Sequence, residues 1–224
     1  MSSAIVQLLV LAGVAIFLIL RLRNVLGTRD GYEPPRTSAP GVEADVAARR
    51  IRDGFEVIEG GPDRDITDHV SDGSPAAVAL AAIKQAEPDF SVREFLGGAR
   101  GAYEMILMAF ENGDLNSVKP FLSPDVYEAF IDVVAAREDE GLTVDAQFIG
   151  VRELDLHDAS FDSATNEAEI SVRFVGELTY AVRNAEGDIV EGDPNQIKRQ
   201  SDIWTFGRVV GTDDPNWQLV ATGG

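Results

Sequence analysis

The chain has no cysteine, two histidines and half as many basic as acidic side chains, 19 Lys and Arg against 38 Asp and Glu. Each shortage closes a class of function. Without cysteine there is no disulfide, no thiolate metal site and no thiol nucleophile. Of the histidines, His69 has no second ligand at metal-binding spacing. His157, between Asp155 and Asp158, fits an exposed strand end better than a catalytic base. The formal charge of −19, with the acid concentrated in Ser74–Gly224, repels phosphate backbones and argues against nucleic-acid binding. It also repels anionic headgroups, except through local basic or apolar patches. No cofactor signature is present. The glycines at 97, 98 and 101 follow no strand and precede no Lys-Ser/Thr pair, so they do not form a phosphate loop.

Charge is missing altogether from Ala4–Leu20 (AIVQLLVLAGVAIFLIL), where Gln7 is the one strongly polar side chain. Ser2 to Leu22 is twenty-one residues, enough at ~1.5 Å per residue to cross a hydrocarbon core of roughly 30 Å. A cleavable signal would carry a basic stretch before the apolar run and a small-residue cleavage site after it. Neither is present here. Instead Arg21 and Arg23 follow the run at once, and the positive-inside rule places that flank in the cytoplasm. The expectation is a single-pass anchor, residues 1–23, with Ala4, Leu11, Phe17 and Leu20 in lipid, the N-terminus out and the C-terminal domain in the cytoplasm of a bacterial cell.

A connector, residues 24–73, follows. Gly27–Gly41 holds three prolines among Gly, Ser and Thr, too little apolar surface to offset ordering entropy. Val42–Ile58 places Val42, Val46, Ile51, Phe55 and Ile58 among charges, a thin stripe interrupted by Gly54, which suits a solvated helix better than a docking one. Gly60–Gly73 reads as an acidic loop.

The soluble domain, 74–224, starts with helices. Ser74-Pro75 is a cap followed by proline at the first helical position. Ala76–Ile83 is apolar on every side, so this helix must be covered all round, by its own domain or by a membrane or partner. Ser91 and Glu94 form a capping box. They open a helix over Val92–Asn112 whose stripe includes Phe95, Leu96, Ala99, Tyr103, Ile106 and Phe110. Gly97, Gly98 and Gly101 weaken it by ~1 kcal/mol each relative to Ala, a cost best explained by close approach of another backbone. Ser123-Pro124-Asp125 starts a third helix, which ends in the charged run Arg137–Glu140. After Gly141 the period becomes two. Thr143–Phe161 supplies one long or broken strand, and Ala168–Arg183 alternates cleanly, with a bulge expected at Gly176. Asn184–Asp188 turns the chain into Ile197–Val210, and Trp217–Thr222 is the last strand. Helices followed by about four antiparallel strands mean an α+β fold, with helices on one face of a curved sheet.

Several of these residues together resemble a known family. Phe95-Leu96-Gly97-Gly98-Ala99-Arg100-Gly101-Ala102-Tyr103, Ala109-Phe110-Glu111-Asn112-Gly113-Asp114, Leu122-Ser123-Pro124, Trp204-Thr205-Phe206-Gly207-Arg208 and Asn216-Trp217-Gln218-Leu219 are similar in type and order to the C-terminal domain of Tim44, the matrix-side subunit of the mitochondrial inner-membrane translocase. Bacterial TimA-type adaptors and a mitochondrial ribosomal protein share the domain. The resemblance covers roughly Pro75–Gly224. It implies a nuclear-transport-factor-two-like α+β fold with an apolar pocket between sheet and helices. It also implies an adaptor role at the inner face of a membrane, with leading helices, here about Pro75–Arg93, that touch anionic lipid. The mitochondrial member recruits a DnaK-type chaperone through a region that the connector here does not match.

The reading is a non-enzymatic adaptor in protein translocation or membrane-complex assembly. Its expected partners are lipid, through the N-terminal helix, and translocase, insertase or assembly proteins. Phe95, Tyr103, Phe174, Trp204 and Phe206 are the candidate pocket or groove residues, with plain hydrophobic core as the alternative for each. The competing reading is a small-molecule binder or catalyst of the same fold type. That would need a buried Asp beside a Tyr, and the sheet-face parity of Ala168–Arg183 supplies no such acid.

Overall fold

The computed structural model describes residues 63–223; the anchor and the connector up to Pro62 lie outside the described residues. Among the described residues four helices precede four strands: α1 Arg64–Thr67, α2 Pro75–Ala86, α3 Val92–Glu111, α4 Pro124–Asp139, β1 Thr143–Asp162, β2 Glu167–Arg183, β3 Ile189–Val209 and β4 Gln218–Gly223. Two short 3-10 turns, Leu115–Ser117 and Lys119–Phe121, join α3 to α4. The strands form one antiparallel sheet in the order β1-β2-β3-β4, so the chain is α+β.

The acidic stretch before Ser74, expected as loop, contains α1. Asp63 caps it by accepting the Asp65 N–H at 3.0 Å, and Ile66 is buried. Asp65 then reaches the start of α3. Its carboxylate accepts from the Val92 and Arg93 amides at 2.8 and 3.1 Å and from the Ser91 hydroxyl at 3.2 Å. The expected capping box is thus rearranged. Ser91 Oγ accepts the Glu94 N–H at 3.4 Å, but Glu94 itself faces solvent and Asp65 supplies the acid. Lys84 of α2 closes the group, 2.7 Å from Asp63 and 2.8 Å from Asp65. An anion at a helix N-terminus is favoured by the free amides and the dipole there. Partial burial opposes ionisation of Asp65, but Lys84 and the two amides outweigh it and hold the carboxyl down at about 2.

The all-apolar α2 is covered on one side only. Ala76, Ala77, Leu80 and Ile83 enter the core, whereas Val78 is 63% exposed. In α3 the glycines do not mark a close approach. Among the described residues Gly97, Gly98 and Gly101 face solvent, and a Cβ on any of them would meet nothing within 4 Å. The opposite stripe, with Phe95, Leu96, Ala99, Tyr103 and Ile106 buried, packs on the sheet.

Long strands need irregularities to stay on a core. Twenty residues of β1 face seventeen of β2, and the register shifts set Ile149, Arg152 and His157 apart as extra residues. These bulges bend β1 and explain why its alternation is unclear in the sequence. Gly176, expected at a bulge of β2, lies in unbroken register with Gln200 of β3, and on its other edge it pairs with Val151 beside the extra residue Arg152, so the bulge there belongs to β1. β3 begins at Ile189, eight residues before the expected start. Pro194–Gln196 loop out between Asp193, paired with Tyr180, and Ile197, paired with Thr179. Gly192 takes φ +77°, where a Cβ would lie 2.2 Å from the Tyr180 carbonyl oxygen. β4 is short, and its outer side is joined by a parallel bridge between Leu122 and Leu219.

Candidate functional site

The helix-facing side of β2 and β3 carries one aromatic cluster, built because alternate residues share a face and α3 lays its own stripe over them. Phe174, Trp204 and Phe206 come from the strands, Phe95 and Tyr103 from α3. Tyr103 stacks on Phe174 with ring centroids 4.4 Å apart and planes 9° from parallel. It meets Trp204 at 4.7 Å. Phe95 stands edge-on to Phe206 at 6.0 Å and to Trp217 at 4.9 Å. All five candidate residues are therefore together, and all five are buried. Their rings fill the space between helix and sheet as core, and the clefts open elsewhere. One, of about 550 Å³, runs between the uncovered side of α2 (Pro75, Val78, Ala79, Ala82) and Phe161 of β1. Another, of about 520 Å³, lies at the other side of the β1–β2 hairpin over Gly207, with Glu169, Gln218 and Val220 on its walls.

Toward the β2–β3 hairpin the same face becomes polar. Asp202 and Gln200 precede Trp204 at two-residue spacing and so share its side of the sheet. The Tyr103 hydroxyl donates to Asp202 Oδ2 at 2.5 Å, and Gln200 Nε2 donates to the same oxygen at 2.9 Å and to the hydroxyl at 3.3 Å. Gly176 makes room for this hydroxyl: a Cβ there would lie 2.7 Å from the Tyr103 oxygen. Burial, then the bond to Asp202 and its charge, push the Tyr103 phenol far above its usual range. An Asp–Tyr pair thus exists, its tyrosine buried and its acid half-buried on β3, outside the strand whose parity pointed to none. Parity within β3 could have found it, had the strand been traced back through Asp202 as a helix-facing position.

Beyond it lies a charged group. Arg137 of α4 donates from Nη1 to the Phe110 carbonyl and to Glu111 Oε2, both at 3.4 Å, and its guanidinium lies 4.4 Å from the Phe110 ring centre. Burial raises the Glu111 carboxyl, opposed by Arg137 and Lys198. The Lys198 ammonium sits 4.7 Å over the Tyr180 ring. Burial and the charges of Glu191 and Glu111 push the Tyr180 phenol up to about 12.

His157, the candidate base, is an exposed extra residue of β1. Its neighbours are engaged elsewhere, Asp155 with Arg173 at 2.5 Å and Asp158 with the Ala159 amide at 2.9 Å. Among the described residues no group of His, Asp and Glu is placed to hold a metal, and no helix is long and apolar enough to cross a membrane. The anchor residues Ala4, Leu11, Phe17, Leu20, Arg21 and Arg23 lie outside the described residues.

The motif around Trp204 has a structural reading as well. Trp204 and Phe206 enter the aromatic cluster. Thr205, on the opposite face, bonds the Ser171 hydroxyl at 2.9 Å. Arg208 donates to Glu87 at 2.9 Å and to the Asp214 carbonyl at 3.0 Å, tying the end of α2 to the β3–β4 turn.

A family model described as the Tim44-like domain matches residues 76–224. A relative from Arabidopsis thaliana named mitochondrial import inner membrane translocase subunit TIM44-1 is 24% identical over 144 residues, 61% of this chain and 30% of that protein. The Homo sapiens protein named mitochondrial import inner membrane translocase subunit TIM44 is 24% identical over 153 residues, 65% of this chain and 33% of that protein. The chain spans about a third of the length of these curated relatives. Among solved structures, the intermembrane space region of the chloroplast protein ARC6 is 11% identical, covering 61% of this chain and 97% of that one, with a TM-score of 0.41. With the family model matching residues 76–224, well over half of its length, the chain belongs to the Tim44-like domain family.

Proposed function

We propose that the chain is a membrane-held adaptor, whose Tim44-like domain binds protein partners at the cytoplasmic face of a bacterial inner membrane, in translocation or membrane-complex assembly. The observation that carries this reading is the family match over residues 76–224, since two relatives with the domain are named as subunits of an inner-membrane import translocase. The uncharged run Ala4–Leu20, followed by Arg21 and Arg23, supports lipid attachment, with the N-terminus outside and the domain inside. The acidic balance supports protein rather than nucleic-acid partners.

Binding without catalysis is part of the same reading. The Tyr103–Asp202 contact is the observation that favours the alternative, a small-molecule site with proton-transfer chemistry. Against it, Tyr103 is 0% exposed, and its proton is held by Asp202 with its oxygen facing Gly176. No cofactor is invoked.

Affinity purification of the full chain in mild detergent, with and without prior crosslinking, tests the adaptor role. Translocase, insertase or assembly subunits are expected in both samples. Recovery of nothing above background in either would falsify it. A reporter fused after Gly224 tests orientation, with cytoplasmic activity expected and periplasmic activity overturning the topology.

A further inference from the structure

α4 is held unlike the other long helices. Only one of its sixteen residues, Val126, is buried, against eight of twenty in α3. That residue belongs to a well-anchored first turn. Leu122 bridges to Leu219, the Ser123 amide donates to the Leu219 carbonyl at 3.0 Å, and the Tyr127 hydroxyl donates to Asn116 at 3.0 Å.

Past Tyr127 the attachments thin out. Phe130 meets the Phe110 ring at 4.7 Å, Val134 lies beside Gly113, and Arg137 grips Phe110 and Glu111. All three rest on the last turn of α3 and the glycine that ends it. The helix then stops at Gly141, φ +66°, and enters β1 at Thr143. Arg137 thus ties this half of α4 to the end of α3 alone, through Phe110 and Glu111.

The geometry points to α4 as a strap: its first turn is fixed to β4, its remaining turns lift from α3, and Arg137 is the catch that holds them down. The link Glu140–Leu142 is closed onto the helix end by the Gly141 and Leu142 amides, which donate to the Glu138 and Arg137 carbonyls at 2.9 Å each; releasing them gives about 10 Å of extended chain at ~3.3–3.6 Å per residue, room for that motion without unpairing β1. Lifting uncovers the Phe110 ring and the Glu111 carboxylate, which the Arg137 guanidinium now covers. The inference does not depend on the adaptor reading.

Since the chain has no cysteine, a single introduced thiol reports the motion. In the full chain in mild detergent, Val134→Cys should react with a maleimide at least ten-fold faster when combined with Arg137→Gln than alone. Ala99→Cys, in the buried stripe of α3, should stay slow in both backgrounds. Equal rates for Val134→Cys, or acceleration of both thiols in step, overturn the catch. Should Arg137→Gln lose the fold, hydrogen exchange in the unsubstituted chain decides. Amides of Phe130–Asp139 are expected to exchange at least ten-fold faster than those of Phe95–Leu107, and equal protection overturns the strap.

Discussion

At the scale of single residues, the tightest fit in the core is between a missing side chain and a hydroxyl. Gly176 sits under the Tyr103 oxygen, and the ring that carries this oxygen is fixed by its stack on Phe174. A methyl at 176 must therefore displace a buried aromatic or bend the strand, at a cost of about 1–3 kcal/mol. Tyr103→Phe removes the oxygen and leaves Asp202 with Gln200, losing about 1 kcal/mol of hydrogen bonding. Because both changes act on one contact, they should not add. Gly176→Ala is expected to destabilise strongly in the parent and by less than half as much in the Tyr103→Phe background, read from urea unfolding. Additive losses would show that Gly176 serves strand geometry instead. The sequence marks Gly176 as unusual within an alternating strand, but it does not say what fills the space, because the filling group comes from a helix 73 positions away.

At the scale of elements, what was legible followed local rules. Ser74, Ser91 and Ser123 each cap a helix through the hydroxyl, accepting amides at 3.1, 3.4 and 3.3 Å, and residue type alone announces such caps. The alternation of Ala168–Arg183 placed β2 well, because one face is buried and parity is then forced. β1 and the first part of β3 were obscure for a physical reason. Extra residues at Ile149, Arg152 and His157 reset the parity of β1, while Gly192 and Pro194 look like turn residues but sit within a looped-out strand. The glycines of α3 depart from their expected role in the other direction. Among the described residues nothing approaches them, so they are a cost to this helix without a packing return within the domain. Replacing Gly97, Gly98 and Gly101 by Ala, one at a time and together, should stabilise the domain by up to about 1 kcal/mol per site, seen as rising thermal midpoints. A fall at any of them would mean that α3 is straighter or more closely packed there than its solvent-facing position implies.

At the scale of the whole molecule, the question is where the domain begins. The resemblance starts near Pro75 and the family model matches from residue 76, yet α1 is built into the core just ahead of both. Ile66 is buried, worth about 2 kcal/mol, and Asp65 caps α3 across 26 residues, worth about 1–2 kcal/mol. A fragment that starts at Ser74 loses both and leaves Lys84 without its two acids. Compared with a fragment starting at Asp63, it should be less stable by about 3 kcal/mol, or about 10 °C in thermal midpoint for a domain of this size. The gap should also depend on pH in one direction. Asp65 has a folded value of about 2, below the usual carboxylate value near 3.8. Its contribution is therefore present above about pH 4 and is lost as pH falls toward 2. The midpoints of the two fragments should accordingly approach each other across that window, leaving the part due to Ile66, which does not titrate. A gap that stays constant from pH 5 to pH 2.5 would assign all of the stabilisation to apolar burial and none to the carboxylate at the head of α3.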